Sequence, residues 1–273
     1  MMNQALPLIR RTLVYGALSL AAFLSVFPFL WMVIGATNLS ADITKGRVMP
    51  GSALWTNIQN FAAQVDLPLV LWNSTWVAVV GTALTLLVSS MAGYAFEMFQ
   101  SKFRERLFGS LLLMLSIPFA ALMIPLFVMM SKAGLMNSYT AIIAPGVASI
   151  FIIFYFRQAT KAFPGELRDA ARIDGLKEWQ IFWYIYMPVM RPTYAAATII
   201  VFMANWNAYL WPLIVLQTND MKTITLVVSS LASAYVPDFG VVMVGAIVAT
   251  LPVVIVFFVL QRRFVEGLLG SVK

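Results

Sequence analysis

Residues 67–96 read LPLVLWNSTWVAVVGTALTLLVSSMAGYAF, and none of these 30 side chains is charged. Five more uncharged runs, each at least 23 residues long, cover residues 12–41, 107–131, 133–156, 192–219 and 239–261. A helix of about 20 apolar residues crosses the hydrocarbon core of a bilayer, where a charge is costly. The sequence therefore predicts an all-α, polytopic membrane protein whose residues 1–273 form a single transmembrane domain. We expect six transmembrane helices, at about 13–34, 72–94, 108–130, 138–156, 193–215 and 240–260.

The composition excludes soluble proteins and several classes of enzyme. Of the 273 residues, 61% are hydrophobic and 11% are charged, whereas a soluble domain is roughly half apolar and a quarter charged. The chain has no histidine and no cysteine, so it has no Cys/His zinc site, histidine base, thiolate nucleophile or disulfide. We expect no metal site and no catalytic residue. The net charge of +7 is spread over the connections between the spans, and we therefore expect no nucleic-acid partner.

The lysine and arginine residues predict the orientation of the chain in the membrane. With six spans and a cytoplasmic N-terminus, 14 of these 18 residues fall on the cytoplasmic side and four on the opposite side. The positive-inside rule therefore places both termini in the cytoplasm. The large connections are then two outer loops and one inner loop, at residues 35–71, 216–239 and 157–192.

The inner loop carries the most specific pattern, FPGELRDAARIDGLKEWQIFWYIYMPVMRP over residues 163–192. A helical pattern extends from Glu166 to Asp174, Gly175 breaks it, and a second short helix with an aromatic side follows. One interpretation is an amphipathic helix that lies on the membrane surface. The acidic side chains favour a protein partner in the cytoplasm instead, and the small pair Ala170 and Ala171 would let that partner approach closely.

This loop resembles the EAA signature of permease subunits of bacterial ATP-binding-cassette (ABC) importers. The signature reads E-A-A, three residues, G, nine residues and I-x-L-P. Asp169 stands at its acidic position in place of the usual Glu, and Met187 stands in place of Leu. The other matching positions are Ala170, Ala171, Gly175, Ile185 and Pro188.

Further stretches resemble the carbohydrate-uptake branch of that family, in particular maltose-type second permeases and their lactose and glycerol-3-phosphate relatives. They are Asn73–Ser74 and the segments AGYAFEMF, AARIDG, WNAYLWPLIVL and QRRFVEGLLGSVK, at 92–99, 170–175, 206–216 and 261–273.

The resemblance implies a type I importer permease in the bacterial inner membrane that carries a di- or oligosaccharide of the lactose or maltose type. Implied partners are a second homologous permease, two ABC ATPase subunits, an extracytoplasmic solute-binding protein and membrane lipid. ATP and Mg would be bound by the ATPases, since this chain has no GxxxxGK[ST] phosphate loop.

The resemblance also implies how the inner loop acts. Residues 166–188 would dock on one ATPase, with Asp169 as the polar contact, the two alanines as close packing and Gly175 as the turn. The tail from Arg262 would add contacts. The implied coupling residues are Glu166, Asp169, Ala170, Ala171, Asp174, Gly175, Ile185 and Pro188.

The fifth predicted span carries a polar and aromatic cluster, Asn205, Trp206, Asn207, Tyr209 and Trp211. Amides and aromatic faces suit a neutral solute rich in hydroxyl groups, and the first four of these residues are candidates for the substrate pathway. An aromatic belt with amide bonds between helices explains the same cluster. Many relatives of that branch carry an acidic residue or Gln where Ala208 stands.

Other functions remain open from the sequence. Within the family, the alternative substrates are glycerol 3-phosphate, amino acids, peptides and metals. Outside it, the alternatives are a stand-alone channel, a secondary carrier or a membrane-embedded enzyme. None of the spans carries an Asp, Glu or His, which disfavours an ion-coupled carrier.

Overall fold

The computed structural model describes the backbone of residues 2–269 and the side chains of residues 10–261. The described residues form helices and no strand, which confirms the predicted all-α class. The α-helices are α1 Met2–Ala36, α2 Ser40–Thr44, α3 Leu54–Gln64, α4 Leu67–Met98, α5 Lys102–Met114, α6 Phe119–Lys132, α7 Tyr139–Ile143, α8 Ile150–Thr160, α9 Gly165–Ile173, α10 Glu178–Ile181, α11 Met187–Val189, α12 Arg191–Trp206, α13 Leu210–Val215, α14 Ile224–Ala232 and α15 Phe239–Leu269.

Four helical stretches are long and apolar enough to cross a membrane, namely Arg10–Ala36, Leu67–Met98, Arg191–Val215 and Phe239–Gln261. Two pairs of shorter helices meet the same criteria only when each pair counts as one span. The described residues therefore contain four spans, or six with both pairs included.

The prediction that the third span, 108–130, is one continuous helix is wrong. It is divided between α5 and α6, which are bent by 101°. Pro118 precedes α6 and disfavours helical geometry at Ile117. The fourth span is bent by 44° between Tyr139–Gly146 and Ile150–Thr160, and Pro145 lies in the short 3₁₀ turn at this bend.

The chain divides into two compact units, and the first contains the described residues up to Asp66 together with Val228–Thr250. The amide of Asn57, which is buried, donates hydrogen bonds to the carbonyls of Ala36 and Asn38 at 2.8 and 2.9 Å. Gly240 packs so closely on this amide that a Cβ atom there would lie within 2.7 Å of three of its atoms. The C-terminal end of α1 is therefore held to α3 by backbone–amide contacts. A single domain over 1–273 stays a prediction.

The second unit contains Leu67–Val227 and the chain from Leu251 onward, with α4 at its centre against α8 and α12. Polar side chains on α4 are buried although the helix is apolar; they include Asn73, Ser74, Thr82, Thr85, Ser89 and Ser90. Gly93 allows the closest contact with α8, since a Cβ there would lie 2.7 Å from the Cβ of Phe156. This close packing makes α4 the element that both candidate sites share.

Candidate functional site

The loop at residues 163–192 folds as the sequence predicts around Gly175. Helix α9 starts after Pro164, with Glu166 in its first turn, where the helix dipole favours a negative charge. Gly175 has φ +83°, a left-handed conformation that costs glycine little. The N–H of Leu176 then donates to the carbonyl of Ala171 at 2.9 Å and closes the end of α9.

The second half of the loop is held by buried aromatic rings. The π-helical turn Phe182–Tyr186 joins α10 to α11. Phe182 and Tyr186 are buried together with Phe163, Met190 and Tyr94 of α4. The rings of Tyr94 and Tyr186 meet edge to face with centroids 4.8 Å apart. The aromatic side predicted for this helix therefore faces α4, apart from Trp179 and Trp183, which are exposed.

Glu178 is the charged centre of the loop. Its carboxylate accepts hydrogen bonds from Arg168 at 3.1 and 3.3 Å, from Arg172 at 2.8 Å and from the hydroxyl of Tyr94 at 3.0 Å. Partial burial raises the pKa of the Glu178 carboxyl, but these donors lower the pKa by more, and it lies below its ordinary value. Glu178 therefore stays ionised and holds α9, α10 and α4 together.

Six of the eight predicted coupling residues are exposed: Glu166, Asp169, Ala170, Asp174, Gly175 and Pro188. Within the described residues, the three acidic members form no ion pair. Ile185 is half-buried. Ala171 is 3% exposed, which contradicts the expectation that both alanines are accessible to a partner: Ala171 is buried within this chain and only Ala170 is exposed.

A cavity of about 510 Å³ lies in the same unit, where three helices are interrupted. The interruptions separate α5 from α6, α7 from α8, and α12 from α13. Residues at each of them line the cavity, among them Leu115, Ile117, Pro145, Gly146, Ser149 and Ala208. None of its lining residues is charged. Interrupted backbone at membrane depth occurs where it lines a cavity or is buried in protein, so the three breaks mark a candidate solute pathway.

The cavity includes one of the four pathway candidates in the fifth span. Asn205 lines it and donates from Nδ2 to Oγ1 of Thr82 at 3.4 Å. Trp206 does not line it; its ring is buried and stacks on Phe202 with centroids 5.7 Å apart. Asn207 and Tyr209 are exposed outside the lining. Of the four pathway candidates, the structure therefore places only Asn205 in the wall of this cavity, and a pathway role for any of the four stays a prediction.

Sequence reasoning missed most of the cavity wall. Trp211, which belongs to the cluster of the fifth span but was not among its four pathway candidates, lines the cavity. It is fixed there by a hydrogen bond from Nε1 to the carbonyl of Ala141 at 2.9 Å. Its ring meets Phe119 at 84° with centroids 6.2 Å apart. Pro118 and Pro145, next to two of the breaks, were the available signal, but a proline in a span is also compatible with a simple kink.

Residues 85–269, more than half of the chain, match the family described as binding-protein-dependent transport system inner membrane component. The chain belongs to this family. It is an inner-membrane permease subunit of an ABC importer, as the loop at 163–192 led us to expect. The contacts expected of the tail from Arg262 lie outside the described side chains.

Curated relatives of this permease are similar along nearly their full length. The lactose transport system permease protein LacG of Rhizobium radiobacter is 70% identical over 95% of both chains. The arabinooligosaccharides transport system permease protein AraQ of Halalkalibacterium halodurans is 38% identical over 92% of both chains. The sn-glycerol-3-phosphate transport system permease protein UgpE of Yersinia pestis is 30% identical over 94% of this chain and 95% of the relative.

The fold of the permease is also that of a solved importer. A chain in the crystal structure of a bacterial ABC transporter involved in the import of the acidic polysaccharide alginate superposes with a TM-score of 0.80. The match covers 94% of this chain and 96% of that chain at 22% identity. The predicted importer-permease architecture is thereby confirmed.

Proposed function

We propose that this permease carries a neutral di- or oligosaccharide, of the lactose type, into the cytoplasm. The observation that carries the proposal is the uncharged cavity of about 510 Å³ lined by Asn205 and Trp211. Its volume lies within the roughly 300–1,000 Å³ of small-molecule sites. An amide and an aromatic face bind hydroxyl groups and sugar rings without a charge. The 70% identity to a lactose permease supports the same substrate class.

The energy for import comes from other subunits in this proposal. A second homologous permease completes the pathway, two ATPases bind ATP and Mg, and an extracytoplasmic binding protein delivers the sugar. Residues 166–188 dock on one ATPase through the exposed Asp169 and Ala170. The chain itself contributes no catalytic residue, cofactor or metal site. Both termini and this docking segment lie in the cytoplasm, in agreement with the distribution of lysine and arginine.

The experiment is reconstitution of the purified complex in liposomes with its binding protein. We expect an ATPase and a second permease to co-purify, and ATP-dependent uptake of lactose to exceed uptake of glycerol 3-phosphate. A preference for glycerol 3-phosphate would contradict the neutral sugar, since the cavity offers no lysine or arginine to a phosphate. Uptake by the chain alone, without ATPase, would contradict the importer.

The topology has its own test, because the chain contains no natural cysteine. We introduce one cysteine at Ile173, which is exposed in the inner loop, or at Tyr235, which is exposed in the outer loop at 216–239. A membrane-impermeant maleimide added to intact cells, after removal of any outer membrane, should label only the Tyr235→Cys variant. Labelling of the Ile173→Cys variant in intact cells would contradict this topology and place the loop at 163–192 outside the cytoplasm.

A further inference from the structure

Arg168 connects the docking segment 166–188 to the end of α4. Its guanidinium donates to both oxygens of Glu178 at 3.1 and 3.3 Å and to the backbone carbonyl of Met98, the last residue of α4, at 3.3 Å. It also lies 4.9 Å from the ring centroid of Phe99, a favourable cation–π contact. The Arg168 side chain is only 12% exposed, so water weakens these contacts little.

Tyr94 makes the second connection from the same end of α4. Its hydroxyl donates to Glu178 at 3.0 Å, and its ring is buried and packs edge to face on Phe182 and Tyr186. One carboxylate thus joins a side chain of α9, a side chain of α4 and its own helix α10. The two halves of the docking segment cannot move away from α4 without breaking charged hydrogen bonds.

Helix α4 leads from this cluster to the solute cavity. Val77 of α4 lines the cavity, and Gly81 packs on Asn205, since a Cβ there would lie 3.0 Å from Nδ2 of that amide. At about 1.5 Å per residue, the helix spans about 26 Å from Val77 to Tyr94. A displacement of its cytoplasmic end therefore reaches the cavity wall through one continuous helix.

We propose that Arg168, Glu178 and Tyr94 form a latch that transmits the motion of the docking segment to α4 and so couples ATP hydrolysis to opening of the cavity. The proposal rests on the importer function proposed above. The three side chains are positioning residues, because none of them lines the cavity or has to touch the ATPase. Loss of the latch should uncouple the ATPase from transport without releasing it.

The test uses the reconstituted complex and measures sugar transported per ATP hydrolysed, together with the amount of ATPase that co-purifies. In Glu178→Gln, the ratio should fall about tenfold, the effect of a lost charged hydrogen bond, while the ATPase is retained. Arg172→Gln is the matched control. Arg172 contacts Glu178 from the exposed side, and no contact joins it to α4 among the described residues, so we expect a smaller loss of about twofold.

Two further variants keep the test decisive if Glu178→Gln fails to fold. Tyr94→Phe removes only the hydroxyl and leaves the ring packing, and should still lower the transport ratio by about threefold. Arg168→Gln removes the other partner of the ion pair, together with its contacts to Met98 and Phe99, and leaves Glu178 in place. The ratio should fall at least as far as expected for Glu178→Gln, about tenfold.

Unchanged ratios in Glu178→Gln and Tyr94→Phe would overturn the latch and leave the importer function standing. Loss of ATPase in proportion to transport would also overturn it, because the network would then serve docking alone. A wild-type complex that carries no ATPase would instead contradict the proposed function itself, and the coupling role with it.

Discussion

The proposed docking segment, residues 166–188, and the cavity are built with opposite chemistry along one helix. At the C-terminal end of α4, a carboxylate, two arginines and a cluster of aromatic rings make specific contacts. Around the cavity there is no charged side chain, and the geometry comes from three interruptions of backbone helix. Charged groups are tolerated at the cytoplasmic surface and costly at membrane depth. The two regions are therefore built from different kinds of side chain.

The largest effect should come from removal of a ring in the cavity wall. Trp211 is 6% exposed, and Trp211→Ala should lower the free energy of unfolding by about 3–5 kcal/mol because it leaves a void and an unpaired Ala141 carbonyl. Trp183→Ala is the matched change in the docking segment. Because the Trp183 side chain is 44% exposed, this change should lower the free energy of unfolding by about 1 kcal/mol or less. Unfolding of the detergent-solubilised protein measures both. Equal losses would mean that the cavity wall is no better packed than the docking surface.

Two glycines on α4 allow its C-terminal end to be compared with the part of the helix next to the cavity. A Cβ at Gly93 would lie 2.8 Å from the backbone nitrogen of Arg157, which cannot move alone. A Cβ at Gly81 would meet only the side-chain amide of Asn205, which can shift. We expect Gly93→Ala to destabilise the protein by about 1–3 kcal/mol and Gly81→Ala by less.

Gly109 supplies the control for this series. It lies in α5, and a Cβ added there would meet no atom of a neighbouring element within 4 Å. Gly109→Ala should therefore be neutral or stabilising by up to about 1 kcal/mol through helix propensity. Thermal unfolding of the three variants in the same detergent ranks them. A Gly81→Ala variant less stable than Gly93→Ala would show that the cavity end is the more rigid one.

The amides of the fifth span test whether the cavity is the route of the solute. Asn205 lines the cavity and Asn207, two residues later, does not. Asn205→Ala should lower the rate of sugar uptake by about three- to tenfold, the range of one neutral hydrogen bond, whereas Asn207→Ala should change it little. Uptake at saturating binding protein is the measurement. A greater loss of uptake in Asn207→Ala than in Asn205→Ala would contradict the proposal that the solute passes through the cavity.

The smallest effect concerns pH at the docking segment. The pKa of Glu178 in the folded protein lies below its ordinary value of 4.5, so its ionised form stabilises the fold above that value. This contribution should be constant from pH 7 to about pH 5 and disappear as the pH falls through the lowered pKa. The difference in thermal stability between wild type and Glu178→Gln reports it. A difference that already declines between pH 7 and pH 5 would mean that the network does not hold the carboxylate ionised.

Much of the docking segment was predictable because its signals are local. The left-handed turn at Gly175 and the helix from Glu166 follow from the residues themselves, through backbone freedom and helix polarity. The contact between Glu178 and Tyr94 did not follow, because the two residues lie 84 positions apart in the chain. For the same reason, the burial of Ala171 could not be distinguished from the exposure of Ala170.

The order of amino acids alone was enough to identify a helical membrane permease, because long uncharged runs and the pattern of the loop at 163–192 can be read along the chain. The side of the membrane on which this loop lies, and its docking role, stay predictions. The 101° break in the third span, and the cavity that three breaks surround, became visible only in the folded chain. A proline allows a bend without specifying its angle, and the angle depends on the packing of helices that are distant in sequence.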